Sequence, residues 1–224
     1  MPTPMSGLYA LKPWYAERLS GLRAALVRHR VSPDALTAAG VLCAAAAAAT
    51  LAWLPGALPE GLTALTALPV AVLLAARLAF ANLDGALARD TGRTTRRGSL
   101  LNELGDRGAD LVVLAGFLPW APLWLVATAA FAATLPSWVS LAGAAAGARR
   151  LNGGPVGKTE RCLLAVVAAG TGWFVPLLWV VAAGSLLTAA LRCARLWREL
   201  GAYDSGRADA TRVMATASPA RTRP

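Results

Sequence analysis

Residues 62–89, LTALTALPVAVLLAARLAFANLDGALAR, read apolar from Leu62 to Leu83 with Arg77 as the one charge, then continue in helical style to Arg89. A run of this length without strand-like alternation is a membrane-spanning helix, because backbone groups in hydrocarbon must find their partners within the segment. At 1.5 Å per residue it reaches roughly 40 Å, more than the hydrocarbon core. Its far end therefore projects from the membrane or the helix tilts, and that end carries Asp84, Gly85 and Arg89.

The rest of the chain repeats the pattern. Of its 224 residues 56% are hydrophobic and 15% charged, whereas a soluble domain carries roughly 25% charged residues. Further spans are expected at about 35–54, 98–118, 123–145, 160–174 and 176–196, which predicts an all-α polytopic integral membrane protein with six transmembrane helices. Ser32-Pro33-Asp34 starts the first span with an N-cap, a first-turn proline and an acid. Pro55-Gly56 through Glu60 and Pro119-Trp120-Ala121-Pro122 read as turns, and Gly170, Gly172 and Pro176 divide the last two spans. Trp120, Trp124, Trp138, Trp173 and Trp179 read as interface anchors. Ahead of the spans, residues 13–30 place Trp14, Leu19, Leu22 and Leu26 near one face, as in an amphipathic helix lying on the membrane. The expected organisation is thus an N-terminal segment at 1–31, a six-helix domain at 32–200, and a basic tail at 201–224, expected to be disordered.

Charge sets the orientation. All 22 Lys and Arg except Arg77 lie in the N-terminal segment, the 84–107 region, the 146–161 loop, or from Arg192 onward, while the turns at 55–60, 119–122 and 170–176 have none. With six helices, every basic region falls on one side, which predicts cytoplasmic termini in a bacterial-type inner (plasma) membrane. The net charge of +10 is explained by topology and anionic lipid, so no nucleic-acid partner is expected. Cys43, Cys162 and Cys193 stand alone and His29 is the single histidine, which rules against a zinc site.

One stretch concentrates the ionisable groups: Asp84-Gly85-Ala86-Leu87-Ala88-Arg89, then Gly98, Asn102, Glu103, Asp106, Arg107 and Asp110. Such groups at membrane depth are costly and by default mark a functional site. Asn102, Asp106 and Asp110 are four apart and form one stripe on a helix. With Asp84 on the preceding helix they are expected to converge on Mg²⁺ or Mn²⁺, hard cations that take oxygen ligands beside substrate phosphates. Gly85, Ala88 and Gly98 leave room for a flat base or a diphosphate, and Arg89 offers a fork to phosphate oxygens.

Asp84-Gly85-x2-Ala88-Arg89-x8-Gly98-x3-Asn102-x3-Asp106 resembles the signature of the CDP-alcohol phosphatidyltransferase family, D-x2-D-G-x2-A-R-x8-G-x3-D-x3-D, at six of eight fixed positions. Ser32 to Thr37 resembles the family's opening of the first span, and Gly157 to Arg161 its stretch before the fifth. The resemblance implies a six-helix domain, a homodimer, and transfer of a phosphatidyl group from a CDP-linked lipid to an alcohol acceptor with release of CMP. It implies that Asp84 ligates metal, that Asp106 is the general base, and that Gly85, Ala88 and Gly98 make room for the CDP moiety. It also marks Lys158 and Arg161 as candidates for binding an acceptor phosphate. Two of the family's acids fall on Ala81 and Asn102 here, and Asn102-Glu103-x2-Asp106 resembles a bacterial branch with an N-E-x-x-D pattern. The rival reading is an impaired member acting as a lipid-binding or partner-docking protein; Ala81 favours it, and Asp84, Arg89, Gly98 and Asp106 oppose it.

Overall fold

The computed structural model describes residue 14 and residues 17–58 and 63–217. Seven α-helices account for nearly all of them: α1 Ser20–Arg28, α2 Pro33–Ala57, α3 Ala67–Asp90, α4 Arg96–Ala115, α5 Leu123–Ala145, α6 Lys158–Thr171 and α7 Phe174–Ala217. A 3-10 turn, Thr63–Thr66, leads into α3, and no strand occurs among the described residues. Among the described residues four stretches are long and apolar enough to cross a bilayer: Pro33–Ala57, Ala64–Asp90, Leu123–Ala145 and Phe174–Ser205, with mean hydropathies of 1.9, 2.0, 1.5 and 2.1. Helices α4 and α6 stand where the third and fifth spans were expected, but do not meet that description. Helix α4 carries Arg96, Arg97, Glu103, Asp106, Arg107 and Asp110. Helix α6 has 14 residues, roughly 21 Å of rise.

Local chemistry sets several helix ends. Pro33 is the first residue of α2, where its missing N–H costs nothing. Thr95 Oγ1 accepts from the Gly98 N–H at 2.9 Å and caps α4. At the start of α6, Glu160 reaches back to accept from the Gly157 N–H at 3.0 Å. Gly172, with φ of +72°, closes α6 and sets its boundary with α7, a conformation that a side chain would strain.

Helix α2 lies between α3 and α4, α5 packs along α7, and α6 closes against α3. The core is built largely of small residues, among them Ala44, Ala47, Ala129, Ala132, Ala165 and Ala168, with Leu51, Leu74, Val113, Leu125 and Leu178 filling between them. Small side chains let helix backbones approach closely where water exclusion supplies no drive. Leu19 and Leu26 of the N-terminal segment pack on a second cluster of Leu36, Leu83 and Leu87. Arg23 pairs with Asp90 at 3.1 Å. Trp14 and Leu22, expected on the same face, are exposed; Pro13, Tyr15 and Ala16 of that helix lie outside the described residues.

Three expectations change. Pro55 and Gly56 do not open a turn, because α2 runs through them to Ala57. Pro55 has no N–H for the Leu51 carbonyl, and the Trp120 indole N–H takes that place at 2.8 Å. Trp120, expected as a lipid-interface anchor, is half-buried and stacks on Phe174 with ring centroids 5.1 Å apart. The tail expected to be disordered from residue 201 continues as helix α7 to Ala217; residues 218–224 lie outside the described ones.

Candidate functional site

Six of the ten sequence-predicted site residues, Asp84, Asn102, Asp106, Asp110, Lys158 and Arg161, fall around two adjoining hollows. The smaller, about 10 Å³, is bordered by Thr37, Arg77, Ala81, Asp84, Gly105 and Asp106, and is the size of one water. Asp84 is 3% exposed. Its Oδ2 accepts from the Thr37 hydroxyl at 2.8 Å, and its Oδ1 from the Gly85 N–H at 2.5 Å. Among the described residues no lysine or arginine pairs with it. Gly105 allows this arrangement: a Cβ there would sit 2.8 Å from Thr37 Cγ2.

The larger hollow encloses about 520 Å³ and shares Ala81 and Asp106 with the smaller. Asn102, Glu103, Asp106 and Asp110 of α4 line one wall, and Lys158, Glu160 and Arg161 of α6 another. Arg192 from α7 and the 150–153 segment complete it. Lys158 Nζ lies 2.5 Å from Asp106 Oδ1. Glu103 takes Arg107 on one oxygen and Arg150 on the other. Arg192 donates Nε and Nη2 to the Gly153 carbonyl at 3.0 and 2.5 Å, and Nη1 to the Pro136 carbonyl at 2.7 Å. The Nε atoms of Arg107 and Arg161 are buried without partners. Five cations and four carboxylates thus line the space; Arg192 meets only carbonyls and two other arginines keep idle N–H groups, which leaves donors for an anion.

The structure joins Asp84 to Asp106, and Asp106 to Lys158, while Asn102 faces the larger hollow. Asp110, expected as a metal ligand, pairs with two arginines: Arg77 holds its Oδ1 and Arg161 its Oδ2. Gly85, Ala88, Arg89 and Gly98 border neither hollow. Arg89 is exposed and leans over Gly85, with Nη1 3.4 Å from where a Cβ would stand. Among the described residues no three His, Cys, Asp or Glu side chains come together as a metal-holding group. Arg107, Arg150, Arg192, Asn82, Ser137 and Ser140 also line the larger hollow; of these only Arg107 stood in the polar stretch read from the sequence, and without an assigned role. Arg192 left a weaker signal, as a charge following the apolar run of the last span.

A helix bundle with membrane-length apolar helices that gathers ionisable side chains around adjoining hollows has the form of a membrane protein with a functional site among its helices. The phosphatidylinositol phosphate synthase of Mycobacteroides abscessus is 34% identical over 214 residues, covering 89% of this chain and 92% of its own. The inner membrane protein YnbA of Escherichia coli is 32% identical over 201 residues, covering 83% and 94%. The crystal structure of Mycobacterium tuberculosis phosphatidylinositol phosphate synthase (PgsA1) with CDP-DAG bound shares the fold, with a TM-score of 0.61 at 24% identity over 79% of this chain and 92% of that one. The same enzyme in complex with manganese and citrate gives a TM-score of 0.61 at 23% identity over 80% and 88%. No protein-family model matches the chain. The chain belongs to the CDP-alcohol phosphatidyltransferase family.

Proposed function

We propose that this protein transfers a phosphatidyl group from CDP-diacylglycerol to an alcohol that already carries a phosphate, releasing CMP. The observation that carries the reading is the junction of the two hollows: Asp84 and Asp106 flank a water-sized space that shares Ala81 and Asp106 with a chamber lined by five cations and four carboxylates. The chamber favours an anionic acceptor, and the name of the Mycobacteroides relative fits a phosphorylated inositol. The M. tuberculosis enzyme with CDP-DAG bound supports the donor.

Asp84, buried without a cationic side-chain partner, fits a hard divalent cation, since charge buried uncompensated is costly. Asp84 and Asp106 would hold one Mg²⁺ or Mn²⁺, with the Asn102 amide oxygen beside them and the remaining oxygens from diphosphate and water. Ala81 and Asn102 leave too few carboxylates for a pair of metals. A bound divalent cation neutralises diphosphate charge and helps CMP leave. The diphosphate and base lie along Gly85, Ala88 and Gly98, with Arg89 swung onto phosphate. Lys158 and Arg161 take the acceptor phosphate, which draws Lys158 from Asp106. Asp106 then accepts the proton of the acceptor hydroxyl; its oxygen bonds to the phosphatidyl phosphorus, and the bond from that phosphorus to CMP breaks.

The same reading makes α4 and α6 the third and fifth of six spans, in a domain spanning residues 32–200 of a homodimer. Both termini and the site then face the cytoplasm from a bacterial-type inner membrane, and α1 lies along the inner headgroups. The test uses purified Asp106→Asn: folded protein that releases no CMP from CDP-diacylglycerol with any phosphorylated polyol supports the reading. Parental rates in that variant, or parental activity undiminished in excess EDTA, refute the base or the metal in turn.

A further inference from the structure

Arg77 is the one basic residue of α3 inside its apolar run, and the mechanism above does not use it. It is 2% exposed, borders the smaller hollow, and has no place on the wall of the larger chamber. Its Nη2 pairs with Asp110 Oδ1 and lies 3.3 Å from the Asp106 carbonyl, while Nη1 lies 3.2 Å from Cys162 Sγ. Asp110, 9% exposed, gives its other oxygen to Arg161, which is 8% exposed and does line the chamber. The three groups therefore form a chain from α3 through α4 to α6, with Arg77 behind and Arg161 in front.

Charge makes the order matter. Asp110 and Arg161 alone would be a neutral pair, and a neutral pair attracts an anion poorly. Arg77 takes half of the Asp110 carboxylate from the far side, so the trio keeps one net positive charge. Excess buried charge costs several kcal/mol in a low-dielectric site, so an arginine placed here for helix packing alone would be a poor solution. The surplus is displayed where Arg161 meets the chamber, with its Nε–H still idle.

We propose that Arg77 is a positioning residue for the acceptor subsite: it neutralises Asp110 from behind, so that Arg161 stays fixed on the chamber wall with positive charge left for the acceptor phosphate. Asp110 is then the link that holds Arg161, not a metal ligand. This rests on the phosphorylated acceptor proposed above, and the experiment separates the two.

Full-length protein in detergent is assayed for CMP release with CDP-diacylglycerol and myo-inositol 1-phosphate as probes. Arg77→Gln keeps a hydrogen-bond donor for Asp110 and removes the charge. The expected result is a roughly tenfold rise in KM for inositol phosphate, with KM for CDP-diacylglycerol and Mn²⁺ affinity by titration within twofold. Arg77→Lys restores most of the loss. Arg77→Gln/Asp110→Asn, which returns the net charge to +1, lowers the acceptor KM again. A damaged scaffold would instead make the double variant worse than the single one, or raise both KM values together; either result overturns the proposal. If the parent releases no CMP with inositol phosphate, the acceptor reading fails. Calorimetric titration with inorganic phosphate then decides the Arg77 proposal alone: weaker binding to Arg77→Gln than to the parent supports it, and equal binding overturns it.

Discussion

Arg192→Lys tests whether the 146–157 segment is a rigid chamber wall or a loose connection. Arg192 is 7% exposed, and its guanidinium spans two carbonyls, Gly153 and Pro136, with three N–H groups. A lysine keeps the charge but is a point donor that cannot bridge both. Two of three bonds are lost, and one buried carbonyl is left without its donor. At about 1–2 kcal/mol for each charge-assisted bond, the segment loses roughly 2–4 kcal/mol of local stability. Its other ties remain: Ser140 to the Leu151 carbonyl at 2.6 Å, the Val156 N–H to Thr188 at 3.0 Å, and the Arg149 N–H to Glu199 at 3.3 Å. Opening should thus stay local, with the helices unaffected. Hydrogen exchange at the Val156 amide should speed up by about 30- to 700-fold, since each 1.4 kcal/mol is tenfold. Exchange in the apolar half of α7 should not change. Unchanged protection at Val156 would refute the reasoning, because the segment would then be held without Arg192.

Two further variants probe other joints. Trp120→Phe keeps the ring stacked near Phe174 but leaves the Leu51 carbonyl without a donor, at a cost of about 1–3 kcal/mol. Thermal denaturation in detergent should show a lowered midpoint, partly recovered in Trp120→Phe/Pro55→Ala, which restores a backbone N–H; no recovery would mean the proline is not the cause. Gly105→Ala puts a methyl group against Thr37 Cγ2 and turns the hydroxyl away from Asp84. Losing a bond to a buried carboxylate, about 1.5–3 kcal/mol, should lower CMP release ten- to a hundredfold. Thr37→Ser/Gly105→Ala, which lacks that Cγ2, should recover it, and a double variant as inactive as the single one would remove Thr37 from the account.

The helices were legible because hydropathy adds up along a single segment and needs no partner to be read. The α3–α4 motif was legible for a similar reason: Asp84 and Arg89, or Asn102, Asp106 and Asp110, share a helix, where spacing sets the face. Local punctuation also read correctly at Pro33 and Gly172, where backbone geometry alone decides. The same reasoning misjudged Pro55, because a proline stays in a helix when a distant group, here Trp120, takes up the freed carbonyl. Nor did it foresee the two arginines at Asp110, since a stripe on one helix says nothing about which cations other helices bring to it.

What hydropathy, charge order and spacing established is thus one-dimensional: an all-helical membrane chain with its ionisable groups gathered near the α3–α4 junction. What required folding is every pairing across helices. Arg77 reaches Asp110 over 33 residues and Arg161 reaches it over 51. Arg192 fastens a glycine 39 residues away and turns a connecting segment into a chamber wall. Electrostatic and hydrogen-bond energies act over a few ångströms in space, whatever the separation along the chain, so partners this remote become definite only when the helices pack.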